Sequence, residues 1–312
     1  MIPRVIDVSV IIVNYNSFKL LKACLESIIH HSQGFEFEII VVDNNSTDGD
    51  VEEIINEFEN IKLIRNEKNE GFAKANNEGA AISKGKYLLF LNNDTIFVEN
   101  TLQILLQYLR EQNDRILIAP KLLNKDGSVQ HSVYSFQTLW LSFTTYFFLY
   151  SIFPRSKYFN RYYLMNRGIN EITEVETVTG AFMLFNREDV LELGGFGEDY
   201  FFYGEDNDLC KRFRDSGGKI IYYPETKIIH LKGGTSKTDW FHEKHHTLAV
   251  LNLFKKHYPF SKRVLARLFF FTGNILRGIL LLITSLLTFK VQYFQEAMLK
   301  FKTLLLIIRL TK

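Results

Sequence analysis

Apolar runs typical of buried strands alternate with segments of helical spacing in the N-terminal part of the chain. DVSVIIVNYN is a β-branched run that ends in Asn, and SFKLLKACLESIIHH has apolar residues at helical intervals after Ser17, a residue type that caps helices. The strand pattern recurs in EFEIIVVDNNSTDGD, IKLIRNE and KYLLFLNND, with the helical segments VEEIINEFE and GFAKANNEGAAISKG between them. This alternation predicts an α/β fold with a mostly parallel sheet and helices on both of its faces.

Three of the predicted strands end in polar side chains. Asn, Asp and Ser are common after strands because they form turns, which is one explanation for each segment taken alone. In open parallel sheets, however, ligands bind beyond the carboxyl ends of the strands, and those ends share one edge. We therefore predict a binding site at the edge formed by residues 14–16, 43–46 and 92–94.

The turn after the first strand does not carry a phosphate-binding loop. VNYNS has neither the G-x-G-x-x-G pattern of dinucleotide-binding proteins nor the G-K-[ST] pattern of P-loops. A nucleotide at this edge would have its base held by polar strand ends such as Asp43. Its diphosphate would need a cation, for which Asp94 is the obvious carboxylate.

Composition and charge divide the chain into two parts. The 312 residues are 46% hydrophobic, enough for one large α/β domain with an appendage. From Lys255 onward, 11 Lys and Arg face the single acid Glu296, whereas the remainder carries 26 basic and 34 acidic residues. We predict a globular domain over residues 1–250 and a basic, apolar helical tail over residues 251–312 that associates with membranes.

The apolar segment 268–289 in this tail is long enough to span a bilayer, but Arg277 lies near its middle. A charge there costs roughly 2.5 to 3.5 kcal/mol on insertion scales, so we predict an interfacial helix on an anionic membrane surface. The aromatic segment 131–168 fits the same surface. In both cases the alternative is a helical pair. It would pack on the core or, for the tail, on the globular domain or a second subunit.

Cysteine use and the N-terminus indicate the compartment. Cys24 and Cys210 each lie in amphipathic segments, so neither a disulfide framework nor a cysteine metal site is expected. The N-terminal apolar run reads as a strand without a signal region before it. We expect a protein at the cytoplasmic face of a membrane, peripheral or monotopic, with no nucleic-acid partner.

Several motifs in order resemble those of a known family. They are VSVIIVNYNS, EIIVVDNNSTDG, NEGFAKANNEG and YLLFLNNDT, followed by VTGAFMLFNREDVLELGGFGEDYFFYGEDNDLCKRFRDSGGKIIYYPETKIIHLKGGTS. Over about residues 6 to 250 the chain resembles the family 2 glycosyltransferases of the GT-A fold, and within them the rhamnosyltransferase-like branch. The resemblance implies a nucleotide-sugar half over about residues 1–125 and an acceptor-side half over about residues 126–250.

The same resemblance implies a reaction and a donor site. A sugar would move from a nucleotide diphosphate donor to an acceptor hydroxyl, with inversion at the anomeric carbon. We expect the acceptor to be a glycan or a lipid-linked acceptor, the latter because the aromatic segment 131–168 suits one. The positions that match those holding the nucleotide are Asn14, Tyr15, Asn16 and Asp43. A further donor-side motif matches Asn69, Gly71 and Asn76, although Gly71 could equally form the turn before a helix.

The metal site implied by the resemblance has fewer carboxylates than in many relatives. Asn92, Asn93 and Asp94 stand where many relatives have Asp-x-Asp, so one carboxylate remains. With the donor's phosphates it can hold Mg²⁺ or Mn²⁺. The family marks His230 as a further ligand, whereas a lone His is more often a hydrogen-bonded structural residue. An imidazole ligand would favour Mn²⁺ over Mg²⁺.

An acid cluster before a predicted helix supplies the remaining chemistry. Inverting transfer needs a carboxylate to take the acceptor proton, and the family's Glu-Asp motif maps onto Glu205 and Asp206, of which Asp206 is the predicted base. Helix capping is the alternative for Glu205, Asp206 and Asp208. The chain departs from its relatives at Gly197, where they commonly have an acid.

We therefore predict a metal-dependent glycosyltransferase, of cell-surface polysaccharide or glycolipid assembly. The alternatives are a nucleotide-sugar-binding assembly subunit without turnover and a sugar nucleotidyltransferase.

Overall fold

A computed structural model of the chain describes residues 5–58, 61–160, 169–232 and 239–309. The chain forms two compact units. The first, here called the sheet unit, comprises Met1–Phe136, Asn166–Phe201 and Glu205–Gly234. The second, the helical unit, comprises Gln137–Met165, Phe202–Gly204 and Thr235–Lys312. The helical unit thus takes in a middle segment of the chain as well as the predicted tail.

A nine-stranded sheet forms the centre of the sheet unit. The strands are β1 (Val8–Asn14), β2 (Phe37–Asp43), β3 (Ile61–Arg65), β4 (Tyr87–Asn92), β5 (Thr95–Phe97), β6 (Ile116–Leu123), β8 (Thr173–Glu174), β10 (Phe182–Asn186) and β11 (Lys219–His230). Their order in the sheet is β3-β2-β1-β4-β10-β6-β11-β5, and β8 pairs with β11. Strands β1 to β4 are mutually parallel in the order 3-2-1-4, β11 is parallel to β6, and β10 runs antiparallel to both its neighbours. A separate small sheet pairs β7 (Val133–Tyr134) with β9 (Thr177–Val178).

Helices of the sheet unit cover this sheet. They are α1 (Phe18–His31), α2 (Val51–Ile55), α3 (Phe72–Ile82), α4 (Thr101–Glu111), α7 (Arg187–Glu192) and α8 (Glu205–Asp215). The central strands are apolar almost throughout because both faces are buried, which is why β1, β2 and β4 read as continuous hydrophobic runs. The predicted α/β fold is confirmed. Helix α2 ends at Ile55, earlier than the predicted segment.

The helical unit contains five described helices. They are α5 (Leu139–Tyr146), α6 (Leu149–Ile152), α9 (Trp240–His257), α10 (Phe260–Thr288) and α11 (Val291–Arg309). Helix α5, from the aromatic segment, packs on α10 through Tyr146 and Phe270, whose ring centroids are 4.2 Å apart. Packing of helices therefore accounts for part of that segment, while its residues 161–168 lie outside the described ones.

Helix α10 is the one described helix that is long and apolar enough to cross a membrane, by length and composition. Only 22% of its most apolar 18-residue window is buried, so it is not an ordinary core helix. Arg277 on this helix donates to Thr145 O at 2.5 Å and lies over the rings of Tyr146 and Phe148. The charge near the middle of α10 is thus held by the end of α5.

Candidate active site

The carboxyl ends of β1, β2 and β4 meet at one edge of the sheet, as their parallel register requires. Asn14 aligns with Asp43, and Val13 aligns with Asn92. The buried Asn14 side chain joins the three ends, because it donates to Asp43 Oδ1 at 3.0 Å and accepts from Asn93 Nδ2 at 2.8 Å. The polar ends of these strands thus lie together in the structure, as predicted, and the Asn14 amide connects them.

The loop after β2 is fixed by the Asp43 carboxylate. Asp43 accepts from the Ser46 hydroxyl at 2.6 Å and from Ser46 N at 3.0 Å. Ser46 Oγ in turn accepts from Asn16 N at 2.9 Å, while Asn16 Oδ1 accepts from Thr47 N at 2.8 Å. Two loops are thereby tied together, and Tyr15 between them keeps 48% of its surface exposed. Tyr15 is the side chain of this group best placed to meet a ligand.

The second donor-side motif forms the entry to α3. Asn69 Oδ1 accepts from Gly71 N at 2.9 Å, and Asn44 Nδ2 donates to Gly71 O at 3.2 Å. Gly71 has φ +87°, and a Cβ there would lie 2.8 Å from Phe201 O. Gly71 is therefore close to the protein's own backbone at Phe201, and this contact requires glycine. Gly71 also directly precedes α3, in agreement with the alternative that it forms the turn before a helix.

Asn76 differs from the other predicted donor residues because it is fully buried on α3. Its Nδ2 donates to Phe72 O at 2.9 Å within the helix. Its Oδ1 has no hydrogen-bond partner among residues 5–58, 61–160, 169–232 and 239–309. The structure therefore places Asn76 behind the surface of the site, not on it.

Asp94 and His230 form a pair that the strand ladder positions. Asp94 immediately precedes β5, whose Thr95 aligns with His230 at the end of β11, and Leu231 N donates to Asp94 O at 2.9 Å. The side chains meet with His230 Nε2 3.1 Å from Asp94 Oδ1, and each is only about one-tenth exposed. Asn92 Nδ2 lies 3.4 Å from the same nitrogen. Sequence positions 136 residues apart therefore share one polar corner of the sheet.

This pair fits a divalent ion that takes the rest of its ligands from elsewhere. In the described part of the chain no cluster of three or more His, Cys, Asp or Glu could hold a metal. One carboxylate and one imidazole are too few for tight binding alone, but Mg²⁺ and Mn²⁺ sites on phosphate substrates commonly complete their shell with phosphate and water. Asp94 and His230 suit such a site.

Glu205 and Asp206 begin α8 and differ sharply in their surroundings. Glu205 is buried, and its Oε2 has no hydrogen-bond partner among the described residues. Burial, together with the neighbouring Asp206 charge, raises the pKa of Glu205 to about 8. Both carboxyls of this buried pair therefore hold a proton more tightly than ordinary carboxylic acids do.

Both oxygens of Asp206 accept hydrogen bonds. Oδ1 accepts from Asn207 N at 2.7 Å, a capping contact in the first turn of α8, and Oδ2 accepts from Gly180 N at 3.1 Å. Burial raises the pKa of Asp206, while these donors act to lower it. Because Ala181 O accepts from Asn92 N at 3.1 Å, one short segment before β10 links Asp206 to the end of β4.

Asp208 is a structural member of the acid cluster. It is fully buried, and Arg212 donates to its Oδ2 at 2.9 Å. Arg212 also donates to Leu193 O and Gly195 O, so the pair holds the Gly-Gly turn against α8. Its ion pair with Arg212 gives Asp208 a structural role.

Two polar residues of the site, Ser46 and Gln130, were not among the predicted site residues. Ser46 lies within a strand-end segment that sequence reasoning had selected. No sequence pattern indicates Gln130 as a site residue, because it lies in a polar loop 100 residues from His230. In the structure, Gln130 Oε1 is 2.6 Å from His230 Nδ1.

A family model described as glycosyl transferase family 2 matches residues 9–194, more than half of the chain. The chain belongs to glycosyltransferase family 2. A second model, described as the N-terminal domain of galactosyltransferase, matches residues 161–233 of this family 2 chain. The matched ranges contain the strand-end residues in the first case and both Asp206 and His230 in the second.

Curated relatives of this family 2 protein include two named rhamnosyltransferases. WbbL of Escherichia coli K12 is 28% identical over 72% of this chain and 83% of its own length. The N-acetylglucosaminyl-diphospho-decaprenol L-rhamnosyltransferase of Mycobacterium tuberculosis H37Rv is 24% identical over 64% of this chain and 68% of its own. An uncharacterized glycosyltransferase of Haemophilus influenzae is 39% identical over 35% of this chain and 36% of its own length. Other relatives of comparable identity are matched over 16% to 38% of their lengths.

Solved structures support the GT-A fold. GalNAc-T7 with UDP, GalNAc and Mn²⁺ superposes with a TM-score of 0.58 at 18% identity, covering 81% of this chain and 48% of that one. Residues 1–349 of TarS from S. aureus, in complex with UDP, superpose with a TM-score of 0.54 at 16% identity, covering 85% of this chain and 70% of that one. At these identities the likeness concerns the fold.

Proposed function

We propose that this chain is a metal-dependent, inverting glycosyltransferase. It moves a hexose, with rhamnose as one candidate, from a nucleotide diphosphate sugar to a hydroxyl of a glycan or lipid-linked acceptor. The observation that carries the proposal is the Asp94–His230 pair at the edge where β1, β2 and β4 end. A carboxylate and an imidazole, nearly buried and in contact, suit a cation that also binds the donor's diphosphate.

The strand ends would hold the donor. Asn14, Asp43 and Ser46 form a rigid polar wall, and the exposed Tyr15 and Asn16 lie at its rim. A divalent ion held by Asp94 and His230, when bound, would neutralise the charge that develops on the departing diphosphate. Asn92 and Asn93 would position this corner through their contacts with His230 and Asn14.

Asp206 would act as the general base. Its carboxylate takes the proton of the acceptor hydroxyl, the hydroxyl oxygen forms a bond to the anomeric carbon, and the bond from that carbon to the diphosphate oxygen breaks. The nucleoside diphosphate leaves with that electron pair, and the configuration at the anomeric carbon inverts. The adjacent Glu205 has a raised pKa, so it would add less negative charge beside Asp206 than an ordinary carboxylate would.

The helical unit supports a lipid-linked acceptor and a membrane location. Leu286 and Leu287 at the end of α10 and Phe289 in the turn to α11 are 74%, 76% and 92% exposed, with Lys290 beside them. Apolar side chains next to basic ones suit the interface of an anionic membrane. Phe270 is not part of this exposed surface, because it is fully buried against Tyr146. The relative that acts on a decaprenol-linked sugar supports the same class of acceptor.

An assay of the purified full chain separates this proposal from its alternatives. UDP-, dTDP- and GDP-sugars are offered with a lipid-linked glycan acceptor, with Mn²⁺ or with a chelator. We expect transfer and release of nucleoside diphosphate with Mn²⁺ only. Binding of donor without turnover would favour the assembly subunit, and formation of nucleotide sugar from sugar phosphate and nucleoside triphosphate would favour the nucleotidyltransferase.

A further inference from the structure

The imidazole of His230 is held by a directed chain of hydrogen bonds that begins at a surface carboxylate. Asp126 Oδ1 accepts from the Ser128 hydroxyl at 2.6 Å, and Ser128 Oγ accepts from Asn124 Nδ2 at 2.9 Å. Asn124 Oδ1 accepts from Gln130 Nε2 at 2.8 Å, and Gln130 Oε1 lies 2.6 Å from His230 Nδ1. All five side chains lie in the sheet unit.

The direction of this chain follows from the chemistry of its members. An ionised carboxylate only accepts hydrogen bonds, so Ser128 must donate to Asp126 and accept from Asn124. The Gln130 amide nitrogen donates both to Asn124 Oδ1 and to His230 O, at 3.0 Å, which leaves its oxygen facing the ring. His230 Nδ1 must therefore carry the hydrogen, and in the neutral ring Nε2 presents its lone pair toward Asp94.

The loop that carries Gln130 is built to hold it in place. Asn124 N donates to Ser128 O at 2.8 Å, and Gln130 N donates to Leu122 O at 2.8 Å, which closes a short hairpin after β6. Gly127 at its tip has φ +82°, a conformation that favours glycine. Gln130 itself is buried, so its amide has little freedom to turn away from the ring.

We propose that Gln130 is a positioning residue that fixes the orientation and tautomer of His230 so that Nε2 and Asp94 Oδ1 bind one divalent cation. The inference rests on the proposed metal-dependent function. Partners of this kind on the far nitrogen of a metal-bound His typically change metal affinity by about 10- to 100-fold when removed. Gln130 contacts the imidazole and not the reacting atoms, so its effect acts through His230.

Mn²⁺ binding to the full-length chain tests the inference. Mn²⁺ is titrated with UDP present, and the free-ion EPR signal and the ¹⁴N coupling of a bound imidazole are recorded, with UDP alone as the blank. For Gln130→Met, which keeps the length but not the acceptor, we expect affinity to fall by about tenfold or more with weakened ¹⁴N coupling. Mg²⁺ affinity should fall less, because Mg²⁺ depends less on imidazole.

Control variants distinguish a positioning role of Gln130 from a purely structural one. Gln130→Glu keeps an acceptor opposite Nδ1, so we expect Mn²⁺ affinity within about threefold of wild type. Lys125 is exposed in the same loop, and Lys125→Ala should bind Mn²⁺ as tightly as wild type does.

Three outcomes would contradict the proposal. If Gln130→Met binds Mn²⁺ as wild type does while His230→Ala binds it more weakly, the positioning role of Gln130 alone is overturned. Unchanged binding in both Asp94→Ala and His230→Ala would overturn the metal site and this inference together. Equal loss of Mn²⁺ and Mg²⁺ in the Gln130 variants, with a lowered melting temperature, would mean a structural role and also overturn it.

Discussion

The sheet unit and the helical unit place opposite kinds of side chain at their surfaces. At the strand ends of the sheet unit, polar groups such as Asn14 and Asp43 bind one another and form a fixed polar edge. At the turn between α10 and α11, by contrast, large apolar groups such as Phe289 face outward without being covered. The proposed chemistry and the proposed membrane contact thus lie in different units of the chain. Substitutions in one unit should therefore leave the function of the other intact.

Asp94→Ala gives the largest expected effect. It removes the carboxylate of the proposed metal corner, so metal-dependent transfer should be abolished while the fold and vesicle binding persist. Transfer is measured at saturating donor with Mn²⁺, and folding by thermal melting. Asp114→Ala is the matched control, because Asp114 pairs with Lys219 at the opposite end of β11 from His230. Wild-type rates in Asp94→Ala would remove Asp94 from the metal site.

Asp206→Asn should lower transfer by roughly 10²- to 10⁴-fold with donor binding unchanged, as expected when a general base is lost. Because burial raises the pKa of Asp206, wild-type kcat/KM should rise with pH as that carboxyl ionises, and the Asn variant should lack this rise. Asp215→Asn at the exposed end of α8 serves as the control. A parallel fall in donor affinity would assign Asp206 to donor binding instead.

The helical unit is tested at its apolar turn. Replacing Leu286, Leu287 and Phe289 by Ser should weaken sedimentation with anionic vesicles by at least about tenfold, since burying each such side chain contributes about 1.5 to 3 kcal/mol. Transfer to a water-soluble acceptor should be unchanged. The matched control replaces three half-exposed residues of the sheet unit, Ile82, Val98 and Leu191.

Salt sharpens this test of the helical unit. Higher ionic strength should release part of the wild-type chain from the vesicles, because it screens the attraction of the basic residues. Equal vesicle binding by the turn variant and wild type would show that membrane contact lies elsewhere, and loss of transfer in the turn variant would show that the two units are not independent.

The smallest expected effect is on stability and concerns Glu205. Its folded-state pKa of about 8 lies above the ordinary value of 4.5, so between these pH values the folded state holds a proton that the unfolded state has lost. Stability should therefore fall as pH rises through that window. Glu205→Gln removes this dependence, and between pH 5 and 8 wild type should lose about 1–3 kcal/mol more than the variant in urea unfolding. Identical slopes would mean that Glu205 is ionised in the folded protein.

The sequence predicted the sheet unit well where the pattern is local. Apolar runs followed by polar residues predicted β1, β2 and β4. They also predicted the edge that these strands share, because neighbouring parallel strands have their carboxyl ends on the same side of the sheet. Family resemblance added Asp206 and His230, which local pattern alone does not assign. Their roles remain predictions, as does the boundary at residue 250.

Long-range contacts are what the sequence could not reveal. Gln130 reaches His230 across 100 residues, and Arg277 reaches Thr145 across 132. Read alone, Arg277 is a costly charge in an apolar helix, whereas in the structure its head group has a carbonyl partner and two aromatic rings. Asn76 matched a donor motif, yet it faces the interior, since a motif does not specify which helix face is buried.

Gly71 has a consequence for recombining this protein with its relatives. Its missing side chain leaves room for Phe201 O, and Phe201 O also accepts from Phe72 N at 3.3 Å. The loop of the first half and the backbone before α8 in the second half are thus shaped for each other. A chimera that exchanges halves near residue 125 would combine the Gly71 loop of one parent with the Phe201 segment of the other. Successful exchange should require that the segments around Gly71 and Phe201 come from the same parent.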